Sequence, residues 1–511
     1  MLAYSNELQD PFTTSKSLFD EFVLKLNDTS GDFGSLERFI ELEGKEVLRC
    51  LLQEKLDAVE EPVTTRMTGA DGIVRAHRRA TKIKKLSVFG EVEIFRTQFS
   101  TKEGKSVNSL FPKDKILNLP DRKTSYRIQE LVSKSAAKNS FESAKEDLES
   151  YKDIHLSKRT IEQITVAASR DFEEFYEQRS LDALQETAKH TDYTVLTTDA
   201  KGIVVRKEDL RAHTKKAAEK ENKESKGKRL GQGEKKNRKR MAQVAAVYHV
   251  DKHERTASDV IYGKADNSEE SRPKVQAKRV WANLSEDATH TINQAMSEVE
   301  RRDPDKNTTL VGLVDGNEHQ INCLEESAHA SGRAICIIVD IIHVLEYLWT
   351  ASRAFFSASD PQCQQFVTHY LTMLLTKGKR GASLAAAGMR SKATTSGLSQ
   401  QERKAVDKAC NYLLKLKKYL NYQDYIKQGM PIGTGVIEGA CRHLICDRLD
   451  ITGARWSLTG AEAVLRLRSL WASGDWDTYW TYYIGREKDR LYGSFYEENT
   501  ACVKPKLTLV K

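Results

Sequence analysis

At 511 residues the chain exceeds what one hydrophobic core usually supports, so two or more domains are expected. A hydrophobic content of 39% with 30% charged residues, nine prolines and 28 glycines describes a soluble, helix-rich chain and excludes an intrinsically disordered one. The net charge of +8 is local: the segment from Lys215 to Arg240 holds twelve Lys/Arg and four Glu, so the remainder is neutral and the segment faces either a polyanion or plain solvent.

In chain order, the N-terminus lacks a basic start followed by an apolar block, so no secretory signal is expected and the cytoplasm is the default location. Residues 15–61 carry Leu and Phe at three- and four-residue steps and predict helices. Alternation around Gly90 predicts a small β-hairpin between Lys82 and Ser100. Its basic neighbours Arg75, Arg78, Arg79, Lys82, Lys84 and Lys85 suit either phosphate contact or protection of an exposed strand edge.

From Ser125 the pattern is helical again. Asn139 with Glu142 predicts a capping box for SFESAKEDLESY, KDIHL a short turn, and Ser157 the cap of a long helix KRTIEQITVAASRDFEEFY. Helix, turn, helix is a DNA-binding arrangement that would put Lys158, Arg159, Thr160 and Gln163 at the start of a recognition helix; a plain helical bundle is the equal alternative.

Strands are expected to dominate from Thr191 to Gly316. YTVLTTDAKGIVVRKED predicts a hairpin turning at Lys201 and Gly202, MAQVAAVYHVDK a strand and RTASDVIYG another. The stretch SEESRPKVQAKRVWANLSEDATHTINQAMSEVERR reads as helical, TTLVGLVDG as a buried strand, and AICIIVD as a central strand covered on both faces. The apolar run from Ile335 carries Asp340, His343 and Glu346, which is wrong for a membrane span. After Leu348 the pattern is helical to about Asn421, broken by a Gly, Ser and basic stretch from Thr376 to Ser399. The aromatic ending, GDWDTYWTYYIGREKDRLYGSFY, reads as packing material. Eight scattered cysteines without a C-x-x-C pair read as reduced thiols.

Three acids stand out. Asp199 ends YTVLTTD, Asp315 ends TTLVGLVD, and Glu438 follows the Gly-rich PIGTGVI; they lie 116 and 123 residues apart, so only the fold can assemble them. Carboxylates gathered at strand ends are the donors that a pair of Mg²⁺ ions requires, because Mg²⁺ is a hard ion that prefers oxygen. Each has a simpler reading, as an acidic turn residue or a first-turn helix residue. Asp340 is the rival third acid, with His343 beside it. Arg442, one helical turn after Glu438, can lean on that acid or on a phosphate; Arg448, Arg455 and Trp456 read equally as structural or DNA-facing.

Strands, a helix, a strand ending in Asp, another strand and a late helix with Glu follow the order of an RNase H-like domain. Through TTDAKGIVVRKEDLR, GEKKNRKRMAQVAAVY, LVDGNEH, VDIIHVLEYLW and above all PIGTGVIEGACRHLICDRLDITGARWSLTGAEAVLRLRSL, the chain resembles bacterial insertion-sequence DDE transposases of the Kra-type family, related to Mutator-type transposases. The resemblance implies an α/β plus all-α protein. Its RNase H-like mixed-sheet domain (183–352 and 429–475, with the basic segment 215–240) is interrupted by an all-helical insertion (353–428). A helical and small β region (1–122), a helix-turn-helix-like region (123–182) and a tail (476–511) complete it. It further implies Asp199, Asp315 and Glu438 as catalytic, metal-holding acids. Asp340, His343 and Arg442 are in support, Asp340 with His343 looking like the Asp/Cys-x-x-His signature of the Mutator type. Two Mg²⁺ ions, replaceable by Mn²⁺, are implied at each site. Expected partners are double-stranded DNA, as terminal inverted repeats and target, and a second copy of the chain, with no membrane. DNA contacts are expected from Lys158, Arg159, Thr160, Gln163, Lys235, Lys236, Arg238, Lys239, Arg240 and Arg455. The place of action is the bacterial cytoplasm, at the nucleoid.

Overall fold

The computed structural model describes residues 11–101, 107–217, 239–263, 273–451 and 453–496. The chain divides into two units, Phe172–Trp476 and Met1–Asp171 with Asp477–Lys511. Among the described residues no helix is long and apolar enough to cross a membrane.

In the unit formed by the two ends of the chain, helices Thr13–Asp28 and Phe33–Asp57 precede short strands β1 (Met67–Thr68) and β2 (Val74–Arg75) and a long hairpin, β3 (His77–Ser87) with β4 (Gly90–Ser100). The basic residues here are mostly occupied. Lys82 and Lys84 form cross-strand ion pairs with Glu93 and Glu91 at 3.1 and 2.7 Å, Arg75 is buried on Asp71, and Lys85 donates to the carbonyls of Pro120, Asp121 and Arg122. That favours edge protection at the exposed Lys82 and Lys84 and a structural role at the buried Arg75 and Lys85.

Helices Tyr126–Lys138, Phe141–Lys152 and Lys158–Ala168 share a core of Ile128, Val132, Ala136, Ala144, Leu148, Ile154, Ile161 and Ile164. The second helix is capped by Ser140, whose side chain accepts from Ser143 N at 2.9 Å, one residue later than the expected Asn139. Asp153 closes it in the left-handed region, and Ser157 caps the third helix as expected. That third helix stops at Ala168, and a separate helix begins at Phe172, so the single long helix is corrected to two.

The other unit is built on a five-stranded mixed sheet of order β7-β6-β5-β8-β9, with β5 Tyr193–Val204, β6 Lys239–Val250, β7 Gln276–Asn283, β8 Thr309–Val314 and β9 Ile335–Val339. β5, β8 and β9 run parallel, while β6 is antiparallel to both its neighbours. Burial of every residue from Tyr193 to Thr198 shows that both faces of the sheet are covered. Four expectations change. β5 is one continuous strand rather than a hairpin, because all twelve residues find partners on β6; at Gly202 a Cβ would sit 2.8 Å from the Lys239 side chain. RTASDVIYG is a helix, Ala257–Tyr262, nucleated by a Thr256/Asp259 capping box. The stretch read as one helix begins with β7, which gains the open edge of β6, and only Ala288–Arg302 is helical. β9 is apolar throughout but is an edge strand, with Ile335 and Cys336 half-buried.

Between Thr376 and Ser399 the Gly- and Ser-rich stretch is largely helical, Gly381–Thr395. Ala382, Ala385, Ala386, Met389 and Ala393 form its buried face, and alanine is the strongest helix former. With helices Pro361–Thr376 and Gln400–Lys415 it makes up the helical stretch that separates β9 from Glu438 along the chain.

Candidate functional site

The sheet register is what gathers the acids. β5 and β8 pair with a constant offset from Tyr193↔Thr309 to Thr197↔Leu313, and extending it two residues sets Asp199 level with Asp315. β8 and β9 pair from Leu310↔Ile335 to Val314↔Val339, and one further residue sets Asp315 level with Asp340. Carried past its last paired residues, this register directs Asp199, Asp315 and Asp340 to the carboxyl ends of three adjacent parallel strands, which lie about 4.8 Å apart. The pairing reaches Asp340 itself, whose N–H donates to Val314 O at 2.8 Å.

Each aspartate is held differently. Asp199 is half-buried where β5 leaves β8 but still pairs with β6; its Oδ1 accepts from Ala200 N at 2.6 Å and its Oδ2 from the Cys441 thiol at 3.2 Å. Burial, with the Asp199 charge beside it, pushes the Cys441 thiol well above its usual range, so it stays protonated as a donor. Asp315 is half-buried and accepts from Asn317 N at 2.8 Å, while its carbonyl takes the Tyr412 hydroxyl at 2.7 Å. Gly316 has φ +94°, and a Cβ there would lie 2.5 Å from Leu416 Cδ1, so this turn requires glycine. Asp340 is fully buried, caps the helix Ile341–Ser352, and accepts from Ile342 N at 2.9 Å, Thr434 N at 3.3 Å and the Thr434 hydroxyl.

Glu438 comes from the short helix Gly435–Ala440, which widens into a π-turn at Cys441–Cys446. Ile437, Ala440, Cys441, Leu444 and Ile445 are buried, and the helix packs against β5 and β6, so this apolar face fixes the approach of the glutamate. Glu438 itself is exposed. Among the described residues one group of three has ligand atoms all within 4.8 Å of one another and could hold a metal ion: Asp340, His343 and Glu438. The structure thus brings Glu438 together first with the two residues expected only in support. Asp199 joins through Cys441, one turn beyond Glu438, and Asp315 through the strand register.

Among the described residues no lysine or arginine forms an ion pair with Asp199, Asp315, Asp340 or Glu438; His343 lies 3.5 Å from Glu346. Asp340 and Glu438 thus stand close together without an ion-paired lysine or arginine among the described residues. Hard oxygen donors with one imidazole fit a divalent cation such as Mg²⁺ or Mn²⁺.

Other expected site residues lie apart from this group. Arg442 is exposed and faces Asp447 at 3.9 Å rather than Glu438. Lys239 pairs with Asp450 at 2.7 Å, and Arg240 donates to the carbonyls of Leu284, Asp209 and Ser285. Arg448 and Trp456 are buried and stacked, 4.6 Å from guanidinium to ring, which is the structural reading. Arg455 is exposed. Lys158, Arg159 and Gln163 are exposed on the helix Lys158–Ala168, with Lys158 3.2 Å from Glu142 and Thr160 bonded to Ser157. Lys235, Lys236 and Arg238 lie outside the described residues. Sequence reasoning missed Thr434 and Cys441; their spacing from Glu438, four before and three after, was the available signal.

No family model matches the chain, and no curated protein is similar to it. Among solved structures, a chain of the Drosophila P element transposase strand transfer complex is similar over 72% of this chain and 80% of that one, at 10% identity and a TM-score of 0.23, a level too low to bear on fold or function.

Proposed function

We propose that the chain is a DDE transposase of a bacterial insertion sequence, resembling the Kra type, in which an RNase H-like domain cleaves and joins DNA. The observation that carries this reading is the cluster of Asp340, His343 and Glu438, with Asp199 and Asp315 at the carboxyl ends of the adjacent parallel strands and no lysine or arginine ion-paired with these acids among the described residues. The sheet order and the helical stretch between β9 and Glu438 in the sequence support it.

Asp199, Asp315 and Glu438, with Asp340 and His343, would hold two divalent ions. Such ions, when bound, activate a water or a 3′-hydroxyl and stabilise the departing oxygen of a phosphodiester. The chain's own part would be to fix the carboxylates: β-register would hold three of them at adjacent strand ends, and the packed helix Gly435–Ala440 would bring the fourth. DNA ends would be held by the helices around Lys158, Arg159, Thr160 and Gln163 and by the basic segment with Lys235, Lys236 and Arg238. Arg455 is available at the surface, and synapsis of two ends calls for at least a dimer.

The test is incubation of the purified chain with Mg²⁺ or Mn²⁺ and a DNA fragment carrying the gene's own flanks, beside Asp315→Asn and Glu438→Gln. Metal-dependent cleavage at the flank boundaries, abolished by both substitutions and followed by joined product, is expected. Cleavage without joining would make it a nuclease. Flank binding without any cutting would leave a DNA-binding protein and overturn the catalytic reading.

A further inference from the structure

We infer that Thr434 and Cys441 are positioning residues, a pair of donors carried on the same helical face as Glu438 that clasp the acids of two different strands. The inference rests on the divalent-cation reading of the site.

The segment 434–441 is short, yet it touches two of the three aspartates. Thr434 donates its hydroxyl to Asp340 Oδ2 and its N–H to Asp340 Oδ1; Cys441 donates its thiol to Asp199 Oδ2 at 3.2 Å. Asp340 follows β9 and Asp199 lies on β5, with β8 between them. Residues four before and three after Glu438 share its helical face, so about two turns of chain present donor, acid, donor in line. Thr434 and Cys441 are both buried, whereas Glu438 between them is exposed.

The hydroxyl has a single proton. Its Oγ1 also lies 3.4 Å from Glu438 Oε1, so the proton given to Asp340 is withheld from Glu438. Asp340 is thereby fixed by three donors, while Glu438 keeps its oxygens for a cation. Cys441 does the same for Asp199 with a weaker thiol donor. The apolar packing on β5 and β6 holds the segment as a whole, and these clasps add direct hydrogen bonds that set the separation of the carboxylates themselves.

The test measures Mn²⁺ binding to the full chain by calorimetry, with the melting temperature of the metal-free protein recorded for each variant. Thr434→Val keeps the shape and removes the donor, and is expected to weaken Mn²⁺ binding by about 10–100-fold, the usual cost of losing a group that orients a ligand. Thr434→Ser is expected to restore affinity, and Cys441→Ala to cost less than Thr434→Val. Thr434→Ala serves where the valine variant does not fold. Asp340→Asn and Glu438→Gln are the controls. If they abolish Mn²⁺ binding while Thr434→Val binds as the parent does, the positioning role is overturned and the cation site stands. If the controls bind Mn²⁺ unchanged, the cation site falls and the positioning role falls with it. A lowered melting temperature with unchanged affinity, not rescued by serine, would mean a structural role only and would also overturn it.

Discussion

Two regions of the same sheet gather charge in opposite ways. At the β7 edge, Glu298 is buried among three arginines. Arg279 reaches it at 2.6 Å, Arg302 at 2.6 Å and Arg179 also bonds it, while Arg279 lies over the Tyr176 and Trp281 rings at 3.5 and 4.4 Å. Burial works against its charge, but Arg279, Arg302 and Arg179 hold the Glu298 carboxyl down at about 2. At the β5, β8 and β9 ends, four carboxylates have no such partner among the described residues. A buried acid held by the chain's own arginines belongs to the scaffold; acids that lack such a partner fit a cation brought from outside.

That contrast predicts opposite responses to the same chemical change. Glu298→Gln should be the most damaging, costing about 3–5 kcal/mol by stranding buried guanidiniums, read by denaturant unfolding of the chain. An unchanged unfolding free energy would mean that the arginines do not depend on it. At the other region the large effect belongs to metal. Mn²⁺ at a hundredfold excess over its dissociation constant should stabilise the parent by about 2.7 kcal/mol and the Glu438→Gln variant not at all, read as melting shifts.

A third test separates scaffold from site by pH. His249 is buried on β6, hydrogen-bonded to Thr194 at 3.0 Å, and burial with Arg302 nearby brings it from 6.5 to about 4. Its folded value lies below its unfolded one, so the unfolded chain binds more protons between the two, and stability is lost as pH falls from 6.5 toward 4. The loss between pH 6.5 and 5 should be about 2 kcal/mol, and His249→Gln should flatten it. The smallest expected effect is the most telling for the site. Asp315→Asn in metal-free protein should leave stability within about 0.5 kcal/mol. A clear loss would show that Asp315 serves the fold.

The sequence by itself determined the helices of the N-terminal region, the β3–β4 hairpin and strands β6, β8 and β9. Their periodicity is a local property written in consecutive residues. It also picked out Asp199, Asp315, Asp340, His343 and Glu438 as the chemistry-bearing residues. Only the tertiary structure decided how they combine, because strand register and edge position depend on partners that lie from 25 to 116 positions away in sequence (335 − 310 and 309 − 193). For the same reason β7 was mistaken for helix. Its strand character comes from the open edge of β6, and propensity yields to such pairing. Thr434 and Cys441 were invisible for a related reason: a hydroxyl or thiol acquires a role only when the fold brings a carboxylate against it.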